Sequence, residues 1–425
     1  MRSLPEFRMG SGSNDDVGDA VTKVLSASLL VTSNTVGPSM FTLPEAVGGV
    51  GMMWGTVIFF VLYMYNLISG LLLADVAIKI HESSECEVPS SFKDFVDTAL
   101  QSETAGTLTA GASLVSNSCF LAYGIVHAGS LLGSSFHDIG LDPMVGAGAF
   151  AAMIAFFSLT HTNTGLEKIA NAAVMVVFSS FAALLMPSIS NVSDPMGTLL
   201  APGAYPNDFG AALAAAVPLL LSSLVYQNIV PSITKLLDFD RTKSTIAIAV
   251  GSFLPMVMYL AWCFAALGGG LESATSNGAG AAAFTAFSVS ALIGSCITAV
   301  MSLAEEYESI ISRKMDDDDP CPVTNRFSTP AVAAAMVPSV AVALAYSNGG
   351  DLTGALHFNG AFITPFLYGL LPIILYNSVQ KLNESTESSP PFWSNLPLVL
   401  LGAGTIGTVG QDIIQDVPSL RNLIA

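Results

Sequence analysis

Eleven long apolar runs constrain this chain more than any other feature. They lie at residues 23–45, 52–78, 105–133, 143–160, 168–188, 210–236, 244–268, 281–304, 329–347, 357–378 and 395–412. Each is long enough, as a helix, to cross the ~30 Å of hydrocarbon in a bilayer. Only 11% of the 425 residues are charged, whereas 52% are hydrophobic. A soluble protein of this length needs far more charge to cover its surface. The expectation is an all-α integral membrane protein with 11 transmembrane helices and short loops. The bilayer is then its first partner. A net charge of −18 without a basic patch argues against nucleic acid as another.

The placement of positive charge supports this count. With the N-terminus in the cytoplasm, the segments on that side hold Arg2, Arg8, Lys23, Lys79, Lys93, Lys168, Lys235, Arg241, Lys243, Arg313, Lys314, Arg326 and Lys381. These are thirteen of the 14 Lys and Arg residues. Arg421 alone falls on the other side, as the positive-inside rule requires of a minority. The predicted organisation is a cytoplasmic tail at 1–22, five helices in 23–190 and five more in 209–380. An additional span lies within 392–412, and a tail at 413–425 ends on the opposite side. The polar, acidic start has no apolar core, so neither a signal peptide nor a transit peptide is expected.

Two of the spans carry a break. Span 1 contains "TSNTVGPSMFTLPEA", residues 32–46, and span 6 contains "QNIVPSI", residues 227–233. Asn34, Val36, Pro38 and Ser39 align with Asn228, Val230, Pro231 and Ser232 when Gly37 is taken as an insertion. Five helices separate one break from the other. Five is odd, so two such groups run oppositely through the membrane, and paired breaks are the mark of an inverted-repeat transporter. Proline removes the bond to the carbonyl four residues back. Pro38 would free the carbonyl of Asn34, Pro44 that of Met40, and Pro231 that of Gln227. In lipid such groups must face protein or a water-filled cavity. There, freed carbonyls suit an ammonium group or a cation, and the start of a half-helix suits a carboxylate. A plain proline kink explains either break alone; two in matching places favour a substrate site.

These segments resemble the amino acid/auxin permease superfamily, and within it the hydroxy/aromatic amino acid permeases, the tryptophan/tyrosine transporters. "GPSMFTLPEA" is similar to that branch's Gly-rich "GGGMFSLP" segment. "ISGLLLADVAIKI", 68–80, resembles its span 2, with Asp75 near the end. "VYQNIVPSITKLL", 225–237, resembles its span 6, and "DFDRTKSTI", 238–246, the basic loop that follows. The resemblance implies a LeuT-like 5+5 inverted repeat with discontinuous spans 1 and 6, substrate between them, and one extra C-terminal helix. It implies cation-coupled uptake, driven by protons rather than Na⁺. The chain departs from the pattern in two places. Gly37-Pro38-Ser39 replaces a glycine run, and Gln227-Asn228 stands where bacterial members tend to carry His and Gly.

Candidate substrate-binding residues are Asn34, Thr35, Gly37, Pro38 and Ser39 in span 1, and Tyr226, Gln227 and Asn228 in span 6. Asn117 and Tyr123 join them from the polar span 3. Tyr226 serves equally well as a structural tyrosine. Ionisable groups within the bilayer are functional candidates by default. Asp75 and His127 are therefore candidate proton carriers, although capping and simple burial also account for them. A Na⁺ site would need hard oxygens, and Ser288, Ser295 and Thr298 in span 8 could supply hydroxyls. They are also ordinary packing residues.

Other signals carry no chemistry. "GAGTIG", 402–407, fits a dinucleotide motif literally but has only 18 residues after it and no strand before it. The acidic run Asp316–Asp319 reads as a solvated loop. The five cysteines form no CxxC pair, so neither a disulfide framework nor a zinc site is indicated. No enzyme motif occurs, and neither a cofactor nor a metal is expected. The function expected is secondary transport of neutral, aromatic amino acids by alternating access. A permease for small neutral amino acids or another solute is the alternative within transport. A non-transporting sensor or scaffold is the alternative outside it, disfavoured by the short inner loops.

Overall fold

The computed structural model describes residues 14–83, 91–135, 141–205, 208–275, 278–312, 326–347, 352–383 and 405. The expected span 11 and the acidic run Asp316–Asp319 lie outside these residues, apart from Thr405. Among the described residues, nine helices are long and apolar enough to cross a membrane. They coincide with the expected spans 2 to 10. Spans 2 to 5 are Met52–Ser83, Glu103–Ser135, Pro143–Thr160 and Asn163–Ser190. Span 6 covers Phe209–Leu236. Spans 7 to 9 are Arg241–Leu267, Gly278–Ser312 and Thr329–Tyr346, and span 10 covers Thr353–Gln380. Span 1 is not one of the nine: of its two pieces, Asn14–Thr35 is long enough but too polar, and Leu43–Val50 is too short.

Proline alone does not interrupt these helices. Pro187, Pro255 and Pro338 lie inside continuous helices in spans 5, 7 and 9. In span 1 the chain leaves the helix after Thr35, and Gly37 is extended, with φ −140° and ψ −166°. A 3₁₀ turn, Pro38–Phe41, leads into the second piece. In span 6 the first helix ends at Ser223, and a 3₁₀ turn, Gln227–Ile229, precedes the helix Val230–Leu236. Pro38, Pro44 and Pro231 all fall in the first turn of a new helical segment. There a proline removes no helical bond, and its fixed φ helps the segment start.

This corrects the expected origin of the free carbonyls. The Gln227 carbonyl is not released by Pro231; it accepts from the Val230 N–H. The carbonyls that side chains from other segments reach near the breaks are those of Thr35, Ser223 and Val225.

Helix packing brings the breaks together. The first piece of span 1 lies against spans 5, 7 and 8, and its second piece against the first half of span 6. Gly51 ends that second piece with φ +90°. A side chain there would be strained, and its Cβ would come within 2.9 Å of the Ala201 carbonyl.

The end of the bundle expected to face the cytoplasm is tied by charge. Asp75 pairs with Lys79 at 2.8 Å and with Arg241. Lys23, at the start of span 1, pairs with Asp238 beyond span 6 at 2.9 Å. Asp240 caps span 7 by accepting from the Lys243 N–H at 2.9 Å, a bond that holds its carboxyl below the usual range. A short helix, Phe92–Leu100, is capped by Ser91 and by Glu306 of span 8, whose carboxylate accepts from the N–H groups of Phe92 and Lys93.

Candidate functional site

The two breaks enclose a small polar cavity. Asn34, Thr35, Gly37 and Ser39 line it from span 1, Asn117 from span 3, Asn228 from span 6 and Ser295 from span 8. All seven were singled out in the sequence. Phe120, Ser222, Val225 and Ala299 complete the wall and were not. Among the described residues, no charged side chain lines the cavity. Its volume is about 30 Å³, room for about two waters.

A chain of amides crosses it. Asn34 Nδ2 donates to Asn228 Oδ1 at 2.9 Å and to the Val225 carbonyl at 3.3 Å. Asn228 Nδ2 donates to Asn117 Oδ1 at 3.3 Å, and Asn117 Nδ2 donates to the Ser113 carbonyl at 3.0 Å. Three neutral side chains thus link the breaks of spans 1 and 6 to the continuous helix of span 3. Below them, the Tyr259 hydroxyl of span 7 donates to the Thr35 carbonyl at 2.6 Å and approaches the Ser223 carbonyl at 3.4 Å. One phenol therefore reaches an exposed carbonyl at each break. Gly37 is needed for close approach, since a Cβ there would come 3.0 Å from Ser295 Cβ.

Other expected site residues lie elsewhere. Tyr226 and Gln227 turn away from the cavity toward Asn66 of span 2. The Tyr226 hydroxyl donates to the Asn66 carbonyl at 3.0 Å, and Gln227 Nε2 donates to Asn66 Oδ1 at 2.6 Å. Both side chains are fully buried, and Gly70 makes room for the phenol. Only the structural reading of Tyr226 describes this placement. The side chain of Pro38 lies outside the described set. Tyr123 and His127 form an aromatic cluster with Phe41 and do not line the cavity. The His127 ring stacks on Phe41 at 4.4 Å and on Tyr123 at 5.9 Å, while Trp262 and Phe284 meet Phe41 edge-on.

The candidate cation residues are also dispersed. Asp75 sits in the ion-pair cluster at the far end of span 2. Ser295 Oγ donates to the Ala291 carbonyl of its own helix, and Thr298 Oγ1 to that of Gly294. Ser288 is buried with no partner for its hydroxyl among the described residues, and it does not line the cavity. A larger cavity of about 270 Å³ lies between spans 3, 8, 9 and 10, but its wall is mostly apolar and includes the exposed Val115 and Val342.

A helix bundle of membrane length, broken twice around one uncharged polar cavity, defines a multi-pass membrane protein. The chain belongs to the tryptophan/tyrosine permease family, whose family model matches residues 20–401. Members and relatives are transport permeases rather than enzymes.

The tryptophan-specific transport protein of Pseudomonas aeruginosa is 21% identical over 248 residues, covering 58% of this chain and 57% of that protein. Tyrosine-specific transport system 2 of Haemophilus influenzae is 24% identical over 58% of each chain. The low affinity tryptophan permease of Escherichia coli O157:H7 is 24% identical over 56% of this chain and 57% of its own. The chain thus spans under two thirds of the length of the curated relatives it matches. The crystal structure of MhsT in complex with L-phenylalanine shares the fold, with a TM-score of 0.57 and 13% identity over 92% of this chain and 98% of that one. The architecture is accordingly LeuT-like.

Proposed function

We propose that this protein is a cation-coupled secondary transporter of neutral, aromatic amino acids, working by alternating access with the proton as coupling ion. The observation that carries the reading is the uncharged cavity between the two breaks, crossed by the Asn34–Asn228–Asn117 chain. An amino acid zwitterion has no net charge and needs both donors and acceptors. Neutral amides and exposed backbone offer both without a fixed countercharge. The relatives named for tryptophan and tyrosine support an aromatic side chain on that substrate.

The same reading keeps the full topology: eleven spans, two inverted groups of five, and the N-terminus in the cytoplasm. On this reading the ion pairs close one end of the bundle, and the aromatic cluster between the 3₁₀ turn of span 1 and span 3 acts as a lid. With both in place the cavity is too small for an amino acid. Substrate enters when the lid parts and leaves when the ion pairs part. His127, in the lid, is the better placed of the two proton candidates, because Asp75 is engaged by two cations.

The test is uptake by the full chain in proteoliposomes. Tryptophan, tyrosine, leucine and alanine are offered under separate pH and Na⁺ gradients. Accumulation of the aromatic pair under the pH gradient is expected. No gradient-dependent uptake of any of the four sinks the proposal.

A further inference from the structure

Span 10 holds two polar side chains that the transport site does not use. Two π-helical turns interrupt this span, Asn359–Ile363 and Phe366–Leu370. Such turns are rare and concentrate at functional sites. In the first, the Thr364 N–H donates to the Asn359 carbonyl, five residues back. In an α-helix, residues five apart point roughly 140° away from each other. The wider π turn brings them close to the same face.

Both side chains are completely buried. Neither Asn359 Oδ1, Asn359 Nδ2 nor Thr364 Oγ1 has a hydrogen-bond partner among the described residues. The turn packs against spans 3 and 6. Gly360 lies so close to the Pro218 carbonyl of span 6 that no Cβ fits between them. One turn earlier, His357 Nε2 lies 3.4 Å from the Ala214 carbonyl, the acceptor that Pro218 leaves without its helical donor. That carbonyl is thus reached by a partner, whereas the polar side chains of the π turn are bare among the described residues.

We propose that the first π turn of span 10 is a built water site, in which ordered water bridges Asn359 and Thr364. The donor and acceptor pattern selects the ligand. Asn359 Oδ1 needs a donor, Nδ2 needs an acceptor, and the Thr364 hydroxyl takes either. Water provides both within one or two molecules. A cation serves the oxygens and leaves Nδ2 bare, and an acyl chain serves none of them. The site makes the contact of span 10 with spans 3 and 6 a wet joint.

The test is a structure of the full chain in lipid nanodiscs at a resolution that shows water, in NaCl and in choline chloride. Density within hydrogen-bonding distance of both side chains is expected in both salts. Density that appears only with Na⁺ makes the site a cation site and overturns the proposal; so does the absence of density. A second measurement is the thermal unfolding of Thr364→Val, which keeps the shape of the side chain. A hydrated site loses a water contact and melts at a lower temperature, which is the expected result. A dry site gains from losing a bare hydroxyl, so an unchanged or raised melting temperature overturns the proposal.

Discussion

Asn34, in the last turn of the first helix of span 1, and Asn228, in the 3₁₀ turn of span 6, hydrogen-bond to each other at 2.9 Å. Each lies at or beside the break in its own span. The pair therefore joins the two breaks directly, and neither amide can move without unpairing the other.

Asn34→Ala and Asn228→Ala should each remove the bond between the two amides and leave one of its two atoms unpaired, at a cost of about 1–3 kcal/mol. The double variant removes both partners, so its penalty should be well below the sum of the two. Thermal unfolding measures this coupling. Uptake kinetics should show at least a tenfold rise in KM for each single variant. Additive penalties would mean that the pair does not act as a unit.

Tyr259→Phe removes the donor that serves the Thr35 and Ser223 carbonyls and leaves the ring in place. The expected loss of stability is about 1–3 kcal/mol, with reduced uptake. Tyr226→Phe is the comparison, because that hydroxyl serves Asn66, away from the cavity. It should lower the melting temperature and leave KM unchanged. A KM effect in Tyr226→Phe equal to that in Tyr259→Phe would put Tyr226 back at the substrate.

Gly37→Ala should lower uptake by forcing apart spans 1 and 8, since the added Cβ meets Ser295 Cβ at 3.0 Å. Ser295→Gly in the same chain should restore part of the loss by removing the atom that is struck. Failure of that rescue would show that Gly37 is needed for its backbone rather than its size.

His127→Phe keeps an aromatic ring between Phe41 and Tyr123 and removes the titratable group. If His127 carries the coupling proton, uptake becomes independent of the pH gradient while exchange of internal for external substrate persists. Gradient-driven accumulation at the original level would leave His127 with a packing role only.

Arg241→Ala releases Asp75 from its partner beyond span 6. The expected consequence is easier opening of that end of the bundle. A cysteine introduced at Ser295 should react faster with a thiol reagent applied from that side than it does with Arg241 intact.

The spans and the two breaks were legible because each depends on a local property of the chain. Apolar length marked spans 2 to 10, and small polar residues around Pro38 and Pro231 marked the interruptions. The wall of the cavity was legible where polarity stood out, as at Asn34, Asn117 and Asn228. It was not legible at Phe120, Val225 and Ala299, since an apolar residue in an apolar run looks the same whether it faces lipid or substrate. Tyr226 and Gln227 sit inside the marked break, yet their direction follows from Asn66, more than 150 residues away. Tyr259 and Asn66 carried a signal, each a polar group within an otherwise apolar span, but which carbonyl each reaches is set by packing between distant helices. The same limit hid the π turns of span 10, where the sequence pattern is that of any apolar helix.

The uncharged cavity has an electrical consequence. On the proposed cycle, the empty carrier returns with no fixed charge in its cavity wall, so that step should be nearly indifferent to membrane voltage. The loaded step carries a zwitterion and one cation, hence one net elementary charge, worth about 2.3 kcal/mol per 100 mV. Transport should therefore be electrogenic, with membrane potential able to drive accumulation even where the chemical gradient of the coupling ion is zero.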